Sequence, residues 1–365
     1  MPAKTTVPAP DPPHNPATPP ATAGGAAGAA APPGPRIAVI VPAWQAIRTL
    51  PACLAALAAQ DLPAAAWTLA VVDNGSTDGG RAWLAEEAAQ ARWGGRLTVV
   101  DEPRRGPSAA RNRGAALNPA AATLAFLDAD CVPRPDWLRR LTAALATGEG
   151  CELARWPMPA AAPADNAADK ARPAPPDAVG GVLSAPSAAS LNLVERFAEH
   201  HGILDVPRFF EPRPAKPPMV LTANFAVTRA AFDRLGGFDE TLAVGEDADF
   251  CWRLLAAGGR LGLARAAAAE HRHRTGARAF ARQMFRYGEG SVEVFVRHRD
   301  FIGRRTDIDW GTYARLAKAL AKCVVFPFTQ SEPLLRWEGP LELVRYGGFA
   351  AGRWRGSLRR GVVAL

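Results

Sequence analysis

Thr123-Leu124-Ala125-Phe126-Leu127-Asp128-Ala129-Asp130 is the stretch on which the fold turns. Five residues without charge read as a hydrophobic strand, and the strand stops on two acids separated by one alanine. Carboxylates at a strand end are costly to place unless a cation meets them. Hard divalent ions take carboxylate oxygen and share their shell with phosphate. Asp128 and Asp130 are therefore candidate ligands for Mg²⁺ or Mn²⁺ held against a diphosphate. The plainer alternative is a pair of structural aspartates.

Working back toward the start, Ile37–Val41 is a continuous apolar run, as in a strand buried on both faces, closed by Pro42. Thr68–Val72 and Leu97–Val100 read as two more strands. Helical spacing fills the gaps: Leu50 to Gln60, a segment ending near Arg92, Ser108 to Leu117, and Pro135 to Ala146. Strand and helix alternate four times, which predicts an α/β fold with a parallel sheet and right-handed crossovers. Ligands gather at the carboxyl ends of such strands, where Trp44, Asp73, Asp128 and Asp130 fall.

Working forward, residues 157–190 turn rich in Pro, Ala and Asp and read as a flexible surface insertion. Leu193 to His200 has helical spacing, Leu221–Val227 reads as a strand, and Arg229 to Leu235 as a short helix. Gly245-Glu246-Asp247-Ala248-Asp249 follows about 120 residues after the first acidic pair and opens a further helix to Ala256. A basic amphipathic helix is expected from Ala277 to about His298, and helical spacing resumes at Trp310. The expected organisation is a disordered tail over 1–35, a catalytic domain over 36–295, and a C-terminal helical tail over 296–365.

The formal net charge of +8 over 365 residues favours anionic partners such as nucleotides or phospholipid headgroups. Arginines recur from Arg260 to Arg305, either as a solvated face or as a surface for peripheral membrane contact. Nucleic acid would ask for aromatic platforms among those charges, and the aromatics there fit a helix core instead. Five cysteines, none at metal-ligand or disulfide-scaffold spacing, read as reduced thiols of a cytoplasmic protein. Neither a signal peptide nor a membrane span is expected from the apolar runs.

Six motifs in order carry a family resemblance. They are Val41-Pro42-Ala43-Trp44, Val71 to Asp78, Gly106 to Gly114, Phe126 to Asp130, Gly236-Gly237-Phe238-Asp239-Glu240, and Gly245 to Asp249. Together they make the chain resemble family 2 glycosyltransferases, inverting enzymes with a GT-A (Rossmann-like) nucleotide-diphospho-sugar transferase fold. His271 to Gly288 is similar to bacterial members that build exopolysaccharides. Where the family often has Tyr-Asn after its first strand, this chain has Trp44-Gln45.

The resemblance implies a metal-dependent transferase. It would move a sugar from a nucleoside diphosphate sugar to a hydroxyl of a glycan or lipid-linked acceptor, at the inner face of the cell membrane. Pro42, Ala43, Trp44, Asp73 and Asp128 would contact the nucleotide. Asp128 and Asp130 would hold the ion, with His271 as a third ligand. Arg111 and Asn112 stand at a helix start, where phosphate is favoured; Arg111 could equally form an internal salt bridge. Asp73 could equally cap a helix. Asp247 is the expected general base, its pKa raised by Glu246 and Asp249 nearby, with Glu246 as understudy. The alternative is a catalytically degenerate module that binds nucleotide or a membrane surface without turnover.

Overall fold

The apolar runs fold into one nine-stranded sheet, described here in a computed structural model over residues 36–156, 174–213 and 216–365. The strands are β1 (Ile37–Ala43), β2 (Trp67–Asp73), β3 (Leu97–Asp101), β4 (Thr123–Leu127), β5 (Cys131–Pro133), β6 (Glu152–Leu153), β7 (Ala178–Ser184), β8 (Asn224–Thr228) and β9 (Leu261–His271). Their order is β3-β2-β1-β4-β8-β7-β9-β5, with β6 also on β9. The first four strands are mutually parallel, β7 and β9 share their direction, and β8, β5 and β6 run against them. This is the mostly parallel, helix-flanked sheet of an α/β fold, as expected.

The helices are α1 (Leu50–Ala58), α2 (Gly80–Ala88), α3 (Pro107–Ala116), α4 (Trp137–Thr147), α5 (Leu193–His200), α6 (Val206–Phe210), α7 (Arg229–Arg234), α8 (Glu246–Ala256), α9 (Ala277–Ile302), α10 (Trp310–Thr329), α11 (Pro333–Arg336), α12 (Glu338–Glu342) and α13 (Gly348–Arg360). The two-residue period of the strands divides the core. Val39, Val41, Leu69, Val71 and Leu127 face α1 and α4 on one side. Ala38, Ile40, Leu124, Phe126 and Phe225 face Phe232, Phe238, Phe250 and Leu254 on the other.

Two expectations need correction. Of the insertion expected over 157–190, residues 157–173 lie outside the described residues, but 178–184 form β7, an interior strand buried between β8 and β9. It reads like a loop because Gly180 and Gly181 break its apolar run. Glycine is required there by close approach: a Cβ on Gly181 would stand 2.1 Å from the Ala267 carbonyl oxygen. The register of β7 on β9 jumps at this point, from Gly181 opposite Ala264 to Val182 opposite Ala268. Buried Asn224 stitches the irregularity, donating to the carbonyls of Val182 and Ala267, both at 2.9 Å, and accepting from the Trp137 indole at 2.7 Å.

The second correction concerns the boundary between 295 and 296, which falls inside α9. The C-terminal helices are built into the same unit: α13 lies along α9, and buried Arg353 reaches Asp307 at 2.7 Å. The tail expected over 1–35 lies outside the described residues. Nor do the arginines from 260 to 305 form one solvated stripe. Leu261–His271 is β9, and Arg265 pairs with Glu152, Arg272 with Glu195, and Arg297 with Asp239 and Glu293.

Candidate active site

The carboxyl ends of β1 and β4, the start of α3 and the start of α8 meet around a cavity of about 880 Å³. Pro42, Ala43 and Trp44 form one wall, Asp128, Ala129 and Asp130 another, and Glu246, Arg274 and Arg286 close it. Trp44 is 57% exposed, so its ring is an open platform and not part of the core. Its neighbour Gln45 is the described non-glycine residue with a left-handed backbone, φ 51°. The strain is held by the β2–α2 loop: the Gln45 amide N–H donates to Ser76 Oγ at 3.0 Å and its side chain to Thr77 Oγ1 at 2.8 Å.

Asp73 ends β2 behind this wall. One oxygen accepts from the Ser76 amide at 3.2 Å, while Oδ1 is buried without a partner. It is Asn74, next in sequence, that lines the cavity.

Arg111 ties the two acidic clusters together. Its guanidinium is 3% exposed and donates to Asp128 Oδ1 at 2.7 Å and to Glu246 Oε1 at 2.9 Å. Burial works against its charge, but the carboxylates of Asp128, Glu246 and Asp247 outweigh that and hold it firmly cationic. The salt-bridge alternative for Arg111 is thus realised, at the wall of the cavity. Asn112 does not reach the cavity. Its amide exchanges hydrogen bonds with the backbone of Phe238 and donates to Glu240, bracing the loop after α7.

Gly245, at φ 96°, turns the chain into α8 and sets Glu246 and Asp247 in its first turn. Glu246 lines the cavity, and Asp247 stands beside it. Asp247 Oδ1 accepts from the Thr222 amide at 3.0 Å and from the Thr222 hydroxyl. Burial and the charge of Glu246 push the Asp247 carboxyl up to about 7, against the pull of Arg111 and the Thr222 bonds. Asp249 does something different: it binds His298 at 2.9 Å and Arg253 at 2.8 Å, locking α8 to α9.

His271 ends β9 with Nε2 3.4 Å from Asp130 Oδ1. It lines a second cavity, of about 230 Å³, together with Glu199, Asp205 and His273. Asp130, His271 and Cys131 could each offer one ligand atom within 4.8 Å of the others. Burial pushes the Cys131 thiol far up, so it is a protonated and poor donor. A carboxylate with an imidazole, and a second carboxylate from Asp128 on the same wall, suit a divalent cation of the Mn²⁺ or Mg²⁺ kind. The structure thus joins Asp130 to His271 and sends one oxygen of Asp128 to Arg111.

Thr222, Arg274 and Arg286 did not stand out in the sequence. Thr222 sits before β8 in an apolar stretch, and the two arginines are lost among the others of their run.

Comparison with known proteins bears on the family of the chain. Residues 38–168 match the model of Glycosyl transferase family 2, and residues 189–339 that of Glycosyl transferase family group 2. The chain is 34% identical over 215 residues to the pre-mycofactocin glycosyltransferase of Mycobacterium tuberculosis, covering 56% of this chain and 38% of that protein. It is 35% identical over 119 residues to the glycosyltransferase AglE of Haloferax volcanii, covering 33% and 38%. The chain therefore spans well under half the length of these curated relatives. Among solved structures, a mannosyltransferase from Pyrobaculum calidifontis in complex with GDP-Man and Mn²⁺ aligns at TM-score 0.49 and 20% identity, covering 91% of this chain and 77% of that one. S. aureus TarS 1–349 in complex with UDP aligns at TM-score 0.45 and 15% identity, covering 89% and 92%.

Proposed function

This chain belongs to the family 2 glycosyltransferases, and from that premise we propose that it moves a sugar from a nucleoside diphosphate donor to an acceptor hydroxyl with inversion. The observation that carries the reading is the convergence of an open tryptophan, an Asp-x-Asp and Glu246 around one cavity, with Asp247, the carboxyl of raised pKa, next to Glu246 in the same helical turn.

The Trp44 ring supplies a stacking face for the base or ribose, while the side chain of Asn74 beside it is spent bracing the loop after β3. Arg274 and Arg286 bring positive charge to the same space, where a diphosphate is drawn by Coulomb attraction. A Mg²⁺ or Mn²⁺ ion bound by Asp130, Asp128 and His271 would supply the further positive charge that a departing diphosphate needs. The acceptor is a glycan or lipid-linked hydroxyl.

Asp247 is the base. As the acceptor oxygen forms its bond to the anomeric carbon, the bond from that carbon to the diphosphate oxygen breaks. The bonding pair leaves with the diphosphate, and the acceptor proton passes to Asp247. Thr222 holds Oδ1 and so leaves Oδ2 to take the proton. A carboxylate of pKa about 7 is half ionised near neutrality and still basic enough to be useful. Glu246 cannot serve as freely, because Oε1 is held by Arg111.

The test is a panel of nucleotide sugars assayed for transfer and hydrolysis, with manganese and with chelator, on the wild type and on Asp247→Asn. Metal-dependent turnover that the variant loses is expected. Turnover by the variant at the wild-type rate would remove Asp247 from the mechanism, and a chain inert toward every donor would remove the transferase reading.

A further inference from the structure

Helix α10 presents a face that no other described element covers. Trp310, Ala314, Ala317, Ala321, Val324 and Phe328 recur at alternating four- and three-residue steps, so they form one stripe, and all six are exposed. Val324 is 69% exposed and Phe328 89%. Leu320 and Val325 widen the stripe, while Thr312 and Ala319 face inward. At one end the stripe continues onto α13, where the exposed Trp354 donates its indole N–H to Tyr313 at 3.0 Å.

The charges on α10 have one sign. Arg315, Lys318 and Lys322 are its only ionisable side chains other than Tyr313 and Cys323, and no acid occurs from residue 310 to 331. Lys322 is spent on Glu338 and Glu342, whereas Arg315 and Lys318 are exposed beside the stripe. Twenty residues make a helix roughly 30 Å long. No helix of the described residues is long and apolar enough to cross a membrane.

We propose that α10 lies in the surface of an anionic lipid bilayer, its stripe at the boundary of headgroups and acyl chains and Arg315 and Lys318 against lipid phosphates. An apolar face with aromatic residues at both ends and cations alongside is what an interfacial helix requires. Charge decides between this occupant and a second copy of the chain. Two such faces would bring like charges together, whereas an anionic headgroup layer neutralises them. The inference goes beyond the sugar chemistry and does not depend on it, since its test reads binding and not turnover.

The test is flotation of the whole chain with vesicles of phosphatidylcholine alone and of phosphatidylcholine with about one third phosphatidylglycerol. Binding to the anionic vesicles that weakens as salt is raised is expected. Val324→Asp with Phe328→Asp should bind at least about tenfold more weakly. Lys318→Glu should weaken binding while leaving the stripe intact. Both altered apolar side chains are exposed, so an unchanged circular dichroism melt checks the fold. The proposal is overturned if the wild type fails to float, if it floats equally with uncharged vesicles, or if the double variant binds as well as the wild type. It is also overturned if light scattering shows a dimer that the double variant converts to monomer.

Discussion

Thr222 gives both its backbone N–H and its hydroxyl to one oxygen of Asp247. In Thr222→Val the hydroxyl bond goes and the amide bond stays. The acid limb of the pH–rate profile should then move up from about 7, with kcat falling and donor KM little changed, because neither residue lines the cavity proposed for the donor. Glu246→Gln should move the same limb down, since the charge of Glu246 is the second cause of the raised pKa, after burial. Opposite displacements by two neighbours would identify Asp247 as the titrating group. Asp247→Asn itself should lower kcat by about a hundred- to ten-thousandfold, the usual range for a lost general base.

The same raised pKa has a stability consequence of definite sign. The folded chain holds this proton more tightly than the unfolded chain, where the value is near 3.8. The contribution is therefore complete below pH 3.8 and is lost as pH climbs through about 7. Chemical denaturation across that window should show a slope in the wild type that Asp247→Asn flattens. These residues were partly legible. Asp247 and Glu246 stood out because acids clustered at a helix start ask for an explanation. Thr222 did not, because its role exists only once α8 folds back on a turn 25 residues earlier.

At the scale of elements, legibility followed side-chain size. Strands β1 to β4 announce themselves through Ile, Val, Leu and Phe. Strands β7 and β9 are built from Gly and Ala, which have little β propensity of their own. Those small residues are there because the backbones come so close, a fact of packing that no local pattern records. The α9–α13 pair follows the same rule. A Cβ on Gly352 would stand 2.0 Å from the Phe285 carbonyl oxygen, and one on Gly288 2.1 Å from that of Phe349. Gly352→Ala should therefore cost about 1–3 kcal/mol, the usual toll of overpacking, although alanine is the better helix former. Thermal denaturation measures it, and a stabilised variant would mean that the two helices are not in contact.

The whole molecule is less divisible than its composition suggests. A chain ending at residue 295 would lose the last turns of α9, all of α13 that lies along it and the Arg353–Asp307 pair. It should fail to show a cooperative thermal transition, whereas the full chain should melt as one unit over its described residues. The expected boundary fell there, but Phe295 packs with Val292 and Ala364 in a small core of its own. Part of the positive charge is likewise less free than it looked, since Arg265, Arg272 and Arg297 of the arginine run are paired with acids distant in sequence.

One guanidinium shared between two acids would also set an order of events in the proposed reaction. Arg111 divides its attention between Asp128 and Glu246. On the proposed reaction, a donor arriving with its divalent cation at Asp128 would loosen that half of the grip, and the arginine would lean toward Glu246. The negative field around Asp247 would then weaken and its appetite for a proton with it, leaving the carboxylate bare once the cargo is loaded. Donor first and acceptor second is the order that this one side chain would favour.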